Sequence, residues 1–363
     1  MADLSVHVCG LSFRNPVMPA AGPPGRNGEA MVACARGGAG GLVSKTVSLC
    51  PAQVPTPNMA EIRGGLLNTE LWSELPVEQW IETEYARAKE TALPLIVSLG
   101  YSASDIADLA PRVRPFADAL ELSTHYIGED HKPMMDAIRA AKEAVDVPVL
   151  VKLSPLGREM VAAAQAAQRA GADGLVLINS FGPCLAIDPE TALPLLGGKE
   201  GYGWLSGPAL KPLALRCVYD VARSVPLPIF GVGGISRGID AIEMMMVGAS
   251  AVQLCTAAIL QGPAIFGKIV SEMDAWLEEH KYRSVSEIQG LTLLKTPNRQ
   301  VRTSAIPPSL DVEACTGCRL CETSCVYGAI RVMDKKAVLD TSQCAGCGLC
   351  VTRCRPGALR MAL

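Results

Sequence analysis

No run of uninterrupted apolar residues in this 363-residue chain approaches the ~18 that a membrane-crossing helix needs. The N-terminus, MADLSVHVCGLSF, has no basic region followed by an apolar stretch, so no secretory signal is expected and a cytoplasmic location is. Charge is sparse, at 19% of residues, and the net charge is −3. That balance supplies no basic face for nucleic acid and no attraction to an anionic membrane. Hydrophobic residues make up 49% of the chain, which excludes charge-driven disorder and provides for a large core. Low-complexity tracts are absent. No G-x-G-x-x-G follows an apolar run, so the chain is expected to bind no NAD(P) itself.

Cysteine is the residue present in excess. Eight of the 14 fall within residues 315–354. In a reducing compartment, dense cysteines hold metal more often than they form disulfides. They form two runs, Cys315-x2-Cys318-x2-Cys321-x3-Cys325 and Cys344-x2-Cys347-x2-Cys350-x3-Cys354. Three close cysteines wrap three corners of one cubane, and the fourth of each run ligates the other cluster. Cys315, Cys318, Cys321 and Cys354 are therefore expected to hold one [4Fe–4S] cluster, and Cys344, Cys347, Cys350 and Cys325 the second. A structural zinc site is the alternative, but zinc takes four ligands in all, from two paired knuckles. This end of the chain resembles a bacterial-type dicluster ferredoxin, with Val326 where proline usually follows the fourth cysteine.

Residues 15–280 repeat one rhythm: a short apolar run, a polar or glycine-rich break, then a helix-period stretch. The runs are PVMPAAG, GGLVSKT, PLIVSLG, ALELST, PVLVKLS, GLVLINS, PIFGVGG and AVQLCTA. Almost wholly apolar strands are buried on both faces, as in a parallel sheet. Eight such units over this length predict an α/β fold, a (β/α)8 TIM barrel, in preference to a doubly wound open sheet. The expected organisation is a barrel over residues 1–287, a linker over 288–310 and a small dicluster ferredoxin-like domain over 311–363. Two connections are long, 47–76 after the second strand and 180–206 after the sixth. Both leave C-terminal strand ends, where barrels build their sites.

Polar residues gather at those ends: Ala21-Gly22, Lys45-Thr46, Ser98, Ser123, Lys152, Asn179-Ser180, Gly233-Gly234 and Cys255-Thr256. A lysine ending a buried strand is costly unless an anion meets it, so Lys45 and Lys152 point to a delocalised anion in the barrel mouth. A reduced flavin is one such anion. The loops GVGGI and QLCTA, with SGPAL (containing Ser206 and Gly207) opening a helix, suit a phosphate, whether of a cofactor or of a substrate.

On the stretches LSFRNPVMPAAGP, GLVSKTVSL, LLNTELWSE, VLVKLSP, GADGLVLINS, SGPALKPLALR and IFGVGGISRGIDAIEMMMVGASAVQLCTA, the barrel resembles the dihydroorotate dehydrogenase family. Together with its cysteine-rich end it is most similar to the flavin domain and ferredoxin tail of dihydropyrimidine dehydrogenases. The resemblance implies an oxidoreductase acting on CH–CH groups, with FMN and two [4Fe–4S] clusters as cofactors. It implies FMN contacts from Ala21, Lys45, Thr46, Lys152, Asn179, Gly207, Gly233, Gly234, Cys255 and Thr256, to which the strand ends add Gly22, Ser98 and Ser206. Asn68, Asn179 and Ser180 would face the substrate.

One loop departs from the family. In place of Asn-x-Ser-Cys-Pro after the fourth strand the chain has Ser123-Thr124-His125-Tyr126. Ser123 takes the ring-reading position, and His125 or Tyr126 the acid/base position, with Lys152 completing the expected catalytic set. Two of only four histidines, His125 and His131, fall in this loop. Cys50 and Cys184 are the other candidates for the missing thiol. The expected substrate is a small unsaturated carbonyl compound, not necessarily a pyrimidine. The expected electron partner is a ferredoxin or an FAD/NAD(P) subunit, and the expected assembly a homodimer or hetero-oligomer. The alternative is an electron-transfer subunit that has lost its substrate.

Overall fold

In the computed structural model the described residues are 1–123 and 130–361; His125 and Tyr126 lie outside them. The chain divides into two compact units, Met1–Pro297 and Asn298–Leu363.

The first unit is the eight-stranded barrel. Its strands are β1 (Val17–Pro19), β2 (Leu42–Val43), β3 (Leu95–Leu99), β4 (Ala119–Leu122), β5 (Val149–Leu153), β6 (Gly174–Leu177), β7 (Ile229–Val232) and β8 (Ala251–Leu254). They pair in the order β1-β8-β7-β6-β5-β4-β3-β2, parallel throughout. The Gly40 amide donates to the Val17 carbonyl at 2.7 Å, tying the approach to β2 to β1 and nearly closing the ring.

Side chains alternate along each strand. Leu120, Leu122, Val149, Val151, Val252 and Leu254 join the cluster between sheet and helices. Ala119, Leu150, Ala251, Val43, Ile96, Val176 and Phe230 form the barrel's interior cluster instead. An N-terminal hairpin, Val6–Val8 with Leu11–Phe13, adds Val8 and Phe13 to it, and Phe13 meets Phe230 edge-on at 6.2 Å. Such runs look continuously apolar because both faces are covered.

The helices follow from local signals. Asn27 caps Gly28–Arg36, its side chain accepting from the Ala30 amide at 2.8 Å. Ser102 and Asp105 form a capping box at the start of Ala103–Val113, whose Ile106, Leu109, Ala110 and Val113 recur at helical spacing and are buried. No described helix is long and apolar enough to cross a membrane.

The two long connections do not remain separate loops. Met59–Ile62 and Gly65–Asn68 from the first pair with Gly203–Ser206 and Phe181–Cys184 from the second as one antiparallel four-stranded sheet. The register sets Asn68 opposite Trp204 and Leu66 opposite Ser206. Residues from both connections thereby reach the barrel's C-terminal rim.

In the second unit each cysteine run leads into a short helix, Leu320–Ser324 or Leu349–Arg353, and a hairpin joins Ile330–Met333 to Lys336–Leu339. Between the first two cysteines of each run stands a glycine in the left-handed region, Gly317 at φ +68° and Gly346 at φ +67°. A Cβ on Gly317 would lie 2.4 Å from the Lys335 carbonyl oxygen. Gly317→Ala is therefore expected to displace the loop carrying Cys315 and Cys318 and to lower iron and sulfide per chain; full loading of this variant would contradict that reading.

Candidate active site

One residue pair further along five of the eight strands, the barrel interior turns polar. Two positions after Val43, Ile96, Ala119, Leu150 and Ala251 stand Lys45, Ser98, Glu121, Lys152 and Gln253, all buried. This layer underlies a cavity at the C-terminal strand ends with about 1250 Å³ of empty space, its open mouth included.

The cavity brings together residues that sequence reasoning drew from seven strand ends and loops. Ala21, Gly22, Lys45, Thr46, Asn68, Ser123, Lys152, Asn179 and Ser180 all line it, as do Ser206, Gly207, Gly233, Gly234, Cys255 and Thr256. Ser98 does not: it is fully buried behind Thr46, their hydroxyls 2.9 Å apart. Its position orients Thr46 and gives it no surface on the cavity. Cys50 and Cys184 are likewise not among the lining residues.

Both buried lysines already have carboxylate partners within the protein. Lys45 Nζ donates to Glu70 Oε2 and to Glu74 Oε2, each at 2.7 Å. Glu70 is held in turn by the Asn58 side chain, and its own amide donates to Asn68 Oδ1 at 3.2 Å. Lys152 Nζ lies 3.5 Å from Glu121 Oε1. A buried charge without a partner costs several kcal/mol (roughly 3–5 when one partner of a pair is removed), and these acids explain how two lysines are tolerated here. The expectation that both lysines need an external anion is corrected in one respect: Lys45 is paired with Glu70 and Glu74, and Lys152 lies beside Glu121, so each has a charge partner within the protein.

At the rim, the Thr256 hydroxyl donates to Ser206 Oγ at 2.8 Å, and Asn68 Nδ2 donates to the Trp204 carbonyl at 3.2 Å. Gly233 and Gly234 have φ of +128° and +76°, and Cβ atoms there would come within 2.7 Å of Ala214 Cβ and 2.6 Å of Lys211 Cβ. That space is taken by the helix Lys211–Ala222, so both positions require glycine, and both line the cavity, where a chain without side chains suits close approach of a phosphate. Burial pushes the Cys255 thiol up to about 11, against the smaller opposing effect of Lys152, so it carries its proton at neutral pH.

Sequence reasoning missed Glu70, Glu121, Gln253 and Tyr101. Tyr101 lines the cavity, packs edge-on against Trp72 at 5.1 Å, and has its phenol pushed up to about 12 by burial. Alternation was the available signal for Glu121 and Gln253, since each follows an interior alanine by two positions.

In the second unit the eight cysteines separate into two sets, each around its own hollow. Cys315, Cys318, Cys321 and Cys354 line one, and Cys325, Cys344, Cys347 and Cys350 the other. These are the interleaved sets that the two-run spacing predicts. Among the described residues no three His, Cys, Asp or Glu side chains converge on a point suited to a single metal ion. Four thiols spaced around a hollow suit a cubane, in which each iron takes its own sulfur.

Comparison with known proteins agrees with this geometry. The family model for dihydroorotate dehydrogenase matches residues 3–277, and that for a 4Fe-4S dicluster domain matches residues 307–355. The catalytic subunit of dihydroorotate dehydrogenase B (NAD(+)) from Methanothermobacter thermautotrophicus is 39% identical over 300 residues, covering 79% of this chain and 98% of the relative. The same-named subunits of Geobacter sulfurreducens and Pyrococcus abyssi are 38% and 36% identical, covering 79% and 80% of this chain and 97% and 99% of their own. About a fifth of this chain thus lies outside the match to each relative. The chain belongs to the dihydroorotate dehydrogenase family, oxidoreductases acting on CH–CH groups, and carries a 4Fe-4S dicluster domain in addition.

Proposed function

We propose that this protein is an FMN- and iron–sulfur-dependent oxidoreductase of a neutral unsaturated carbonyl compound, nearer in substrate chemistry to a dihydropyrimidine dehydrogenase than to a dihydroorotate dehydrogenase. The observation that carries the reading is the Lys45–Glu70–Glu74 cluster beside Asn68. Dihydroorotate bears a carboxylate; here the cavity lysine on the Asn68 side is already neutralised by two carboxylates of the protein. A second anion brought there would be repelled by Glu70, whose side chain is only 10% exposed and poorly screened. An uncharged imide, amide or enone meets no such penalty.

The cavity residues fit FMN. The glycine pair Gly233-Gly234, with Gly207, would receive the phosphate, and Lys152 with Asn179 would meet the polar edge of the ring. When bound, FMN supplies hydride exchange with one carbon of a C=C bond. The chain's own groups do the rest. Asn68, Ser123 and Asn179 orient the carbonyl and amide groups of the substrate by hydrogen bonds. The sheet formed from the two long connections narrows the mouth and restricts water. A proton is delivered to the neighbouring carbon by an acid, for which His125 and Tyr126 remain the candidates from the departing loop.

The two interleaved cysteine sets would hold two [4Fe–4S] clusters that exchange electrons with an external carrier. The relatives are named as catalytic subunits of an NAD(+) enzyme. For this chain we infer an FAD/NAD(P) subunit or a ferredoxin as the partner, in a homodimer or hetero-oligomer in the cytoplasm.

Two outcomes follow. Gly234→Val is expected to lose at least tenfold in FMN retention with iron content unchanged, measured by released flavin and iron per chain; normal flavin would remove the phosphate cradle from the account. Photoreduced, anaerobic enzyme is expected to be reoxidised faster by uracil or a simple cyclic enone than by orotate, followed by the return of flavin absorbance. Preference for orotate would overturn the neutral-substrate reading, and inertness to all would favour an electron-relay subunit.

A further inference from the structure

Glu121 has no part in the function described so far, yet it is the most deeply buried acid beneath the cavity. It sits on β4 with 0% exposure. Its Oε2 accepts from Gln253 Nε2 at 2.9 Å. Its Oε1 makes no hydrogen bond and lies 3.5 Å from Lys152 Nζ, on the adjacent strand β5. Among the described residues Lys152 is the only cation paired with it.

The strand order shows what this contact spans. β4 and β8 are separated by β5, β6 and β7 on one side and by β3, β2 and β1 on the other. The Glu121–Gln253 hydrogen bond therefore crosses the full barrel interior, directly above the apolar layer containing Ala119, Leu150, Phe230 and Ala251. Leaving a carboxylate there is expensive unless it carries a specific charge task. Its setting allows one. Lys152 lines the cavity above it and contacts the fully buried Glu121. In so enclosed a place the two charges are weakly screened, so whatever reaches the cavity from Lys152 is the field of the pair and not of a free ammonium.

We propose that Glu121, fixed by Gln253, is a positioning residue that holds Lys152 and limits the positive charge Lys152 presents to the flavin. The inference rests on the FMN reading above. Without Glu121 the full ammonium charge would face the ring, favouring any negatively charged form of it. With Glu121 the oxidised, neutral ring and the lysine coexist without an uncompensated buried cation.

The test compares holoenzyme with the Glu121→Gln variant, which keeps shape and the possibility of a bond to Gln253. Sulfite adds reversibly to oxidised flavins to give an anionic adduct and bleaches their visible absorbance, so its affinity reads the local field without turnover. Glu121→Gln is expected to tighten sulfite binding by roughly tenfold and to move the flavin midpoint potential to a more positive value, with FMN content unchanged. Gln253→Met, which frees Glu121 from its anchor, is expected to shift both in the same direction by less. It also serves if Glu121→Gln does not accumulate. Lys152→Met should shift both the opposite way. Sulfite affinity and potential equal to wild type in Glu121→Gln or, failing that, in Gln253→Met would overturn the proposal while leaving the FMN reading intact. Wild-type protein that holds no FMN would instead overturn that reading, and this one with it.

Discussion

Two ammonium groups sit inside a nearly closed ring of parallel strands, and the structure is arranged around making them tolerable. A (β/α)8 barrel has an interior that is normally filled by branched apolar side chains. Here the lower interior layer obeys that rule, and the next one up holds Lys45, Glu121, Lys152 and Gln253, each no more than 5% exposed. Charge of that kind is stable only as neutralised sets. Glu121 answers Lys152 from the neighbouring strand, and Glu70 answers Lys45 from the long connection after β2. The floor of the site is thus electrostatically complete before anything binds, and a ligand enters a field already partly spent.

That arrangement links fold to chemistry. The antiparallel sheet formed by the two long connections carries Asn68 to the rim and leads into the segment that delivers Glu70. The glycines of the loops after β6 and β7, Gly207, Gly233 and Gly234, line the cavity and pack closely against neighbouring chain. Helix caps and strand alternation place these pieces. In the C-terminal unit the same economy appears as a repeated turn, with a left-handed glycine between the first two cysteines of each run.

Much of this was legible beforehand. The eight strands were found because parallel strands covered on both faces read as apolar runs, and each run in the sequence corresponds to one strand of the ring. Polar residues at strand ends announced the cavity: of the fifteen cavity-lining residues expected for cofactor or substrate, twelve lie outside strands, Asn68 and Ser206 are the last residues of two strands of the mouth sheet, and Lys152 lies within β5. Ser98 was assigned a ligand contact because it ends an apolar run; alternation in fact places it behind Thr46. Glu121 and Gln253 escaped because their meeting depends on closure of the ring, which brings together residues 132 apart in sequence. Glu70 escaped because loop geometry, unlike strand periodicity, leaves no regular mark in composition. The likeness to dihydropyrimidine dehydrogenases came from the order of barrel and cysteine runs, whereas the relatives found bear the name of dihydroorotate dehydrogenase B.

The central claim is that the cavity above the Lys152–Glu121 pair is a flavin site wired to iron–sulfur clusters. Cofactor stoichiometry of the full chain, purified without oxygen and analysed for flavin, iron and sulfide together, tests it most directly. The account predicts one FMN per chain together with about eight iron and eight sulfide, as two cubanes require. Protein fully loaded with iron and sulfide but devoid of FMN, and unable to take it up when FMN is added, would contradict it.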